Sequence, residues 1–283
     1  MNTTIQLISF HGGHSGQYCS HARDLLEDII NRYIELGFLK VGITEHIPPI
    51  ADAFCYPDET KLNLTADALY TRFKEYISNM NHLKKKYASK IKLFIGMETE
   101  TYAGSVAHVK RLISTFQPDY IVGSVHHIDD ICFDYSKDEY ERIAFNCGSY
   151  EVMYEKYFDL QYEMIKELKP FVVGHFDLIR IFDTDYEKRL LLPQIVQKIN
   201  RNLTLIKELN LVMDFNLRAL SKGAKEPYIT SSILKKAGEL GIRVVPGDDS
   251  HGVKEAGCHV GKAIEILKAL GFATLWPDPV LLT

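Results

Sequence analysis

Short runs of apolar residues alternate along this chain with longer stretches whose apolar positions recur every three or four residues. The second spacing is that of a helix burying one face. It is clearest at Ala66, Leu69, Phe73, Tyr76, Ile77, Met80, Leu83 and Tyr87. The short runs lie near residues 5–10, 39–44, 91–95, 119–124, 170–174, 211–215 and 242–246. Because they are apolar on both faces, they suit strands of a parallel sheet covered by helices. Phrases such as IELGF (34–38), KELNL (207–211), GELGI (238–242) and KALGF (268–272) join a helical stretch to the next run. A glycine or asparagine there takes the left-handed conformation that satisfies a helix's last carbonyls. Lys169-Pro170 closes another helix, since proline cannot continue one. Seven strand–helix units in series predict an α/β barrel or a doubly wound sheet. With no linker rich in proline, glycine or serine, residues 1–283 read as one domain.

Composition narrows the classes. A 46% hydrophobic and 25% charged chain of 283 residues can bury a large core. A net charge of −4 gives no basic stripe, so a nucleic-acid partner is not expected. No apolar stretch is long enough for a membrane span. The beginning MNTTIQLISF lacks the basic and apolar regions of a secretory signal. The five cysteines are scattered with no CxxC pair, so a reduced, cytoplasmic setting is expected.

The chemistry appears where the apolar runs stop. LISF is followed by His11 and His14, VGIT by Glu45 and His46, and LFIGM by Glu98. YIVGS leads to His126 and His127, FVVG to His175, VMDF to Asn216, and VVPG to Asp248, Asp249 and His251. In a βα barrel every strand end opens on one face, so these residues converge. A lone histidine after a strand is usually a hydrogen-bonded structural residue. That explanation would have to hold separately at six or seven strand ends, and metal binding explains them together. Imidazole and carboxylate ligands favour zinc, iron or manganese. Without thiolates in the set, a structural zinc finger is not expected.

Taken in order, the motifs HSGQYCSHA (14–22), GITEH (42–46), GMETE (96–100), GSVHH (123–127), GHFDLIRIF (174–182), FNLRAL (215–220) with EPY (226–228), and GDDSH (247–251) resemble the polymerase and histidinol phosphatase (PHP) family over nearly the whole length. The GHFDLIR segment points to its histidinol phosphatase branch. The resemblance implies a distorted seven-stranded (β/α)7 TIM-like barrel and a centre of three divalent or transition metal ions. His14, Glu98 and Asp249 would hold the first, with His11 as a further ligand. Glu98 would bridge to the second, also held by His126 and His175. His21, His46 and His251 would hold the third. A hydroxide bridging the metals would attack phosphorus, with Glu98 and Asp249 counted as catalytic. One departure stands out: the family begins with His-x-His, whereas here two glycines separate His11 from His14. Residues three apart on a regular strand face opposite ways. Gly12 and Gly13 can absorb the extra residue as a bulge.

A phosphate ester is best gripped by arginine. Arg180 and Arg218, each a few residues past a strand end, are the candidates, with Asn216 as a further substrate contact. His127 is read either as an orienting neighbour or as the acid that protonates the leaving group. The expected reaction is hydrolysis of a small phosphate ester, L-histidinol phosphate, to L-histidinol and phosphate. The alternatives are another small ester, a nucleotide or a phosphotyrosine as substrate, or a non-catalytic metal-binding module.

Overall fold

The computed structural model describes residues 6–282. The part of the first predicted run that falls on residue 5 lies outside them. Seven parallel strands form one sheet in chain order: β1 (Ile8–Ser9), β2 (Lys40–Ile43), β3 (Lys92–Glu98), β4 (Tyr120–Gly123), β7 (Val172–Val173), β8 (Val212–Asn216) and β9 (Arg243–Gly247). Each falls within or against its predicted run. Two further strands, β5 (His127–Ile128) and β6 (Ile131–Cys132), form an antiparallel hairpin that the apolar pattern did not announce.

The sheet curls until its first and last strands meet. The Phe10 N–H donates to Pro246 O at 3.2 Å, the Asp249 N–H to His11 O at 2.9 Å, and the His14 N–H to Ser250 O at 2.7 Å. The result is a nearly closed seven-stranded barrel, not an open doubly wound sheet. Helices cover it between the strands, and Ala66–Lys86 is the longest. Its predicted stripe Leu69, Phe73, Tyr76, Ile77, Met80 and Leu83 is buried, as the spacing required.

The bottom of the barrel is plugged by aromatic rings. Tyr120 reaches from β4 across β3 and β2 to donate to Phe10 O at 2.7 Å. A side chain at Gly42 would collide with its hydroxyl oxygen at 1.8 Å, and one at Gly96 with its ring at 2.9 Å. Phe10, Tyr120 and Phe171 pack edge to face at 6.1–6.5 Å. The polar strand ends lie on the other side of this plug and face a cleft.

Candidate metal centre

Glu98 ends β3 at the centre of the mouth, and only 1% of its surface is exposed. Its two oxygens face different partners. Oε1 lies 2.8 Å from His175 Nε2 and 3.1 Å from His126 Nε2. Oε2 lies 3.3 Å from His11 Nε2, 3.5 Å from His14 Nε2 and 3.6 Å from His46 Nδ1. Five imidazoles from the ends of β1, β2, β4 and β7 thus surround one carboxylate. Asp249 follows β9 and brings Oδ1 to 3.2 Å from His14 Nε2. Its φ of 45° is left-handed, a strained choice for an aspartate that turns its carboxylate inward.

The double glycine solves the spacing problem of the first motif. A Cβ at Gly12 would lie 2.2 Å from Gly42 O, and one at Gly13 2.9 Å from Ile29 and Ser250. Only bare backbone passes through this gap. His11 and His14 lie just past the end of β1, and both finish inside, fully buried.

Further out lies a rim of three imidazoles. His21 stacks 4.9 Å from His251 and lies 5.4 Å from His46, between ring centroids. Arg218, Lys222, Tyr135, Tyr228 and Asp134 line the cleft of ≈ 250 Å³ above, together with Glu98, Asp249 and the histidines. Asn216 holds Asp249 by donating from Nδ2 to its Oδ2 at 3.0 Å.

Three expected residues are not brought to the cleft, and one of them is Asn216, which is fully buried against Asp214 and Asp249 and not open to a substrate. Arg180 is buried, donates to the carbonyls of Glu226 and Pro227, and is sandwiched between the rings of Tyr186 and Tyr228 at 4.9 Å. With Asp177 3.4 Å from its Nε, it clamps the 226–228 loop. His127 turns away to Glu100, with Nδ1 3.2 Å from Oε2, because hairpin pairing through β5 points successive side chains to opposite sides. Glu100 also receives the Tyr56 hydroxyl at 2.8 Å and lies 3.0 Å from His46 Nδ1.

Some partners were not anticipated. Asp214 Oδ2 lies 2.7 Å from His11 Nδ1, and Asp134 Oδ2 lies 3.1 Å from His126 Nδ1. A carboxylate on the far ring nitrogen orients an imidazole for metal binding. Asp214 was legible in principle: a charged residue inside the apolar run VMDFN, two before Asn216 and on the same strand face. Lys222, Asp134 and Cys19 carried no such signal.

Electrostatics fits a missing positive charge. Burial would raise the carboxyls of Glu98 and Asp249, yet His11 above all holds both well below the ordinary range. Burial would lower His14, but the neighbouring Asp249 and Glu45 carboxylates raise it to about 9. At the rim the balance reverses: burial, helped by His46, pushes His21 down to about 3. Both ring nitrogens of His14, and His11 Nε2, are buried without a well-formed hydrogen bond. Unpaired buried polar atoms of this number are costly unless a ligand satisfies them. Several groups of histidine, cysteine and carboxylate atoms lie close enough to hold a metal ion, among them His11–His14–Asp249 and His11–Glu98–His175. No helix among the described residues is long and apolar enough to cross a membrane.

Comparison with known proteins agrees with this geometry. A family model described as PHP domain matches residues 12–218. A Schizosaccharomyces pombe protein named as a probable histidinol-phosphatase is 34% identical, covering 95% of this chain and 88% of its own. The histidinol-phosphatase of Saccharomyces cerevisiae is 31% identical over 87% of this chain and 84% of its own. A solved structure from Listeria monocytogenes, assigned provisionally as a histidinol phosphatase, superposes with a TM-score of 0.80 at 26% identity, covering 90% of this chain and 99% of that one.

Proposed function

Since the chain belongs to the PHP domain family, we propose that it is a metal-dependent phosphomonoesterase that hydrolyses L-histidinol phosphate to L-histidinol and phosphate. The observation that carries the reading is Glu98: one buried carboxylate whose two oxygens face two different sets of imidazoles. That is the arrangement of a residue bridging two cations.

Three ions are proposed. His11, His14, Asp249 and Glu98 would hold one, Glu98, His126 and His175 the second, and His21, His46 and His251 the third. Zinc, iron and manganese all suit such ligands. When bound, such ions supply Lewis acidity that neutralises a phosphate and acidifies water. The chain's own residues do the rest. Asp214 and Asp134 orient His11 and His126. Asn216 fixes the Asp249 carboxylate. Arg218 and Lys222 place positive charge at the cleft where a phosphate enters. Tyr228, Tyr135 and Asp134 offer aromatic faces and a carboxylate to the imidazole and ammonium of histidinol.

The test is phosphate release by metal-replete protein from L-histidinol phosphate beside a panel of other monoesters, with and without chelator. Strong preference for histidinol phosphate, abolished by chelation and restored by metal, is expected. Preference for another ester would move the substrate, and no release from any ester would sink the reading.

A further inference from the structure

The first loop places a thiol among the rim imidazoles. Cys19 is 5% exposed, and its Sγ lies 3.2 Å from His21 Nε2. That sulfur and one ligand atom each from His21, His46 and His251 all lie within 4.8 Å of one another. Around a tetrahedral zinc with ordinary Zn–S and Zn–N bonds, ligand atoms stand roughly 3.3–3.6 Å apart. The set needs a contraction of only about an ångström to close on an ion.

A thiol beside a histidine is ordinarily a weak hydrogen-bond donor and nothing more. Independent observations argue against that here. His14 packs 4.7 Å from both His46 and His251, ring to ring, and neither of its nitrogens makes a well-formed hydrogen bond. Glu45 Oε2 is likewise buried without a well-formed hydrogen bond. His14, Cys19 and Glu45 themselves form a second convergent set. Beside them is a cavity of ≈ 30 Å³, lined by Cys19, His21, Glu45 and His46 among others. It has room for a single ion or water.

The geometry points to Cys19 as a thiolate ligand of the metal held by His21, His46 and His251, which makes this the zinc-selective position of the centre. The inference rests on the reading of the mouth as a metal centre. Binding forms the sulfur–metal bond and releases the thiol proton to solvent. A soft sulfur among three imidazoles favours zinc over manganese or magnesium. It also gives the bound ion one negatively charged ligand beside three imidazoles.

The test is titration of the metal-free, full-length protein with cobalt(II), a spectroscopic stand-in for zinc, followed by near-ultraviolet absorption and metal analysis. A thiolate-to-cobalt charge-transfer band is expected. It should be absent in Cys19→Ser and intact in Cys132→Ser, which removes the other thiol near the mouth. Zinc affinity at one position should fall tenfold or more in Cys19→Ser, with manganese affinity little changed. A folded Cys19→Ser protein that keeps the band or the zinc affinity overturns the inference. If that variant does not fold, the unmodified protein decides together with Cys132→Ser: no band at full cobalt loading, or a band lost with Cys132, also overturns it. The band needs no substrate, so the two readings fail separately. A band without phosphate release sinks the proposed reaction alone, and phosphate release without a band sinks the Cys19 ligand alone.

Discussion

The mouth of this barrel has two halves built from the same residue type and poised differently. In the depth, His11, His14, His126 and His175 crowd around Glu98 and Asp249. Carboxylates there more than offset burial, so His11 and His126 are held protonated well past the usual imidazole range. At the rim, His21 and His251 lie among other imidazoles, and burial drives both far down. The comparison shows that a histidine cluster has no intrinsic charge state. The depth balances buried anions with protons until cations replace them. At the rim, His21 and His251 stay neutral and offer lone pairs at physiological pH.

The largest effect should come from Glu98→Ala. Removing both oxygens takes a ligand from two positions at once. Metal in the depth should be lost, and phosphate release should fall by about 10³-fold or more. Rim metal should remain, because His21, His46 and His251 are untouched. Metal analysis and turnover measured on one preparation decide this. Normal turnover with full metal removes Glu98 from its bridging position, and loss of all metal would mean that the two halves bind as one unit.

The two arginines sharpen the contrast between interior and cleft. Arg180 is buried and satisfies the Glu226 and Pro227 carbonyls beside Asp177. Arg180→Ala would leave those groups unpaired and should cost about 2–4 kcal/mol of stability in urea unfolding. Arg218 is at the cleft, paired with Glu255, and its side chain is 16% exposed. Arg218→Ala should cost less than about 1 kcal/mol and instead raise KM for the phosphate ester. The opposite pattern, a stable Arg180→Ala protein with weakened substrate binding, would return Arg180 to the substrate.

Much of this was legible beforehand because strands advertise themselves twice. The apolar runs gave all seven barrel strands, and the polar residues ending most of them gave the set that gathers at the mouth, since strand ends share one face. What the chain concealed were contacts made across it. The β5–β6 hairpin consists of two-residue strands, too short to show a period. Arg180 looked like a phosphate ligand by its place after a strand, but only the 226–228 loop folding back reveals the clamp. His127 neighbours His126 in sequence, and the pleat sends it to Glu100 instead. The Gly12–Gly13 insertion became intelligible only when the neighbouring backbone at Gly42 was seen 2.2 Å from where a side chain would be.

The most local expected effect concerns the short helix Pro57–Lys61 beside the rim. Glu59 accepts the Tyr56 N–H at 2.8 Å and is 9% exposed, and burial raises its carboxyl to about 7. In the unfolded chain the group ionises near the ordinary glutamate value, about 4.3. Below that value both states are neutral and nothing is lost. As pH rises toward 7, the unfolded state gives up its proton while the folded one keeps it, so stability falls, and the loss is complete once pH passes the folded value. The expected size is on the order of 1–3 kcal/mol. Glu59→Gln should remove this slope, giving a protein about as stable as the parent at pH 4 and more stable at pH 8. Amide exchange over residues 57–61 tells whether the loss is local. Faster exchange there with rising pH, beyond the intrinsic chemical rate and absent in Glu59→Gln, would tie the helix to the rim half alone. Parallel pH–stability curves for parent and variant would mean that the Glu59 carboxyl titrates as if solvated.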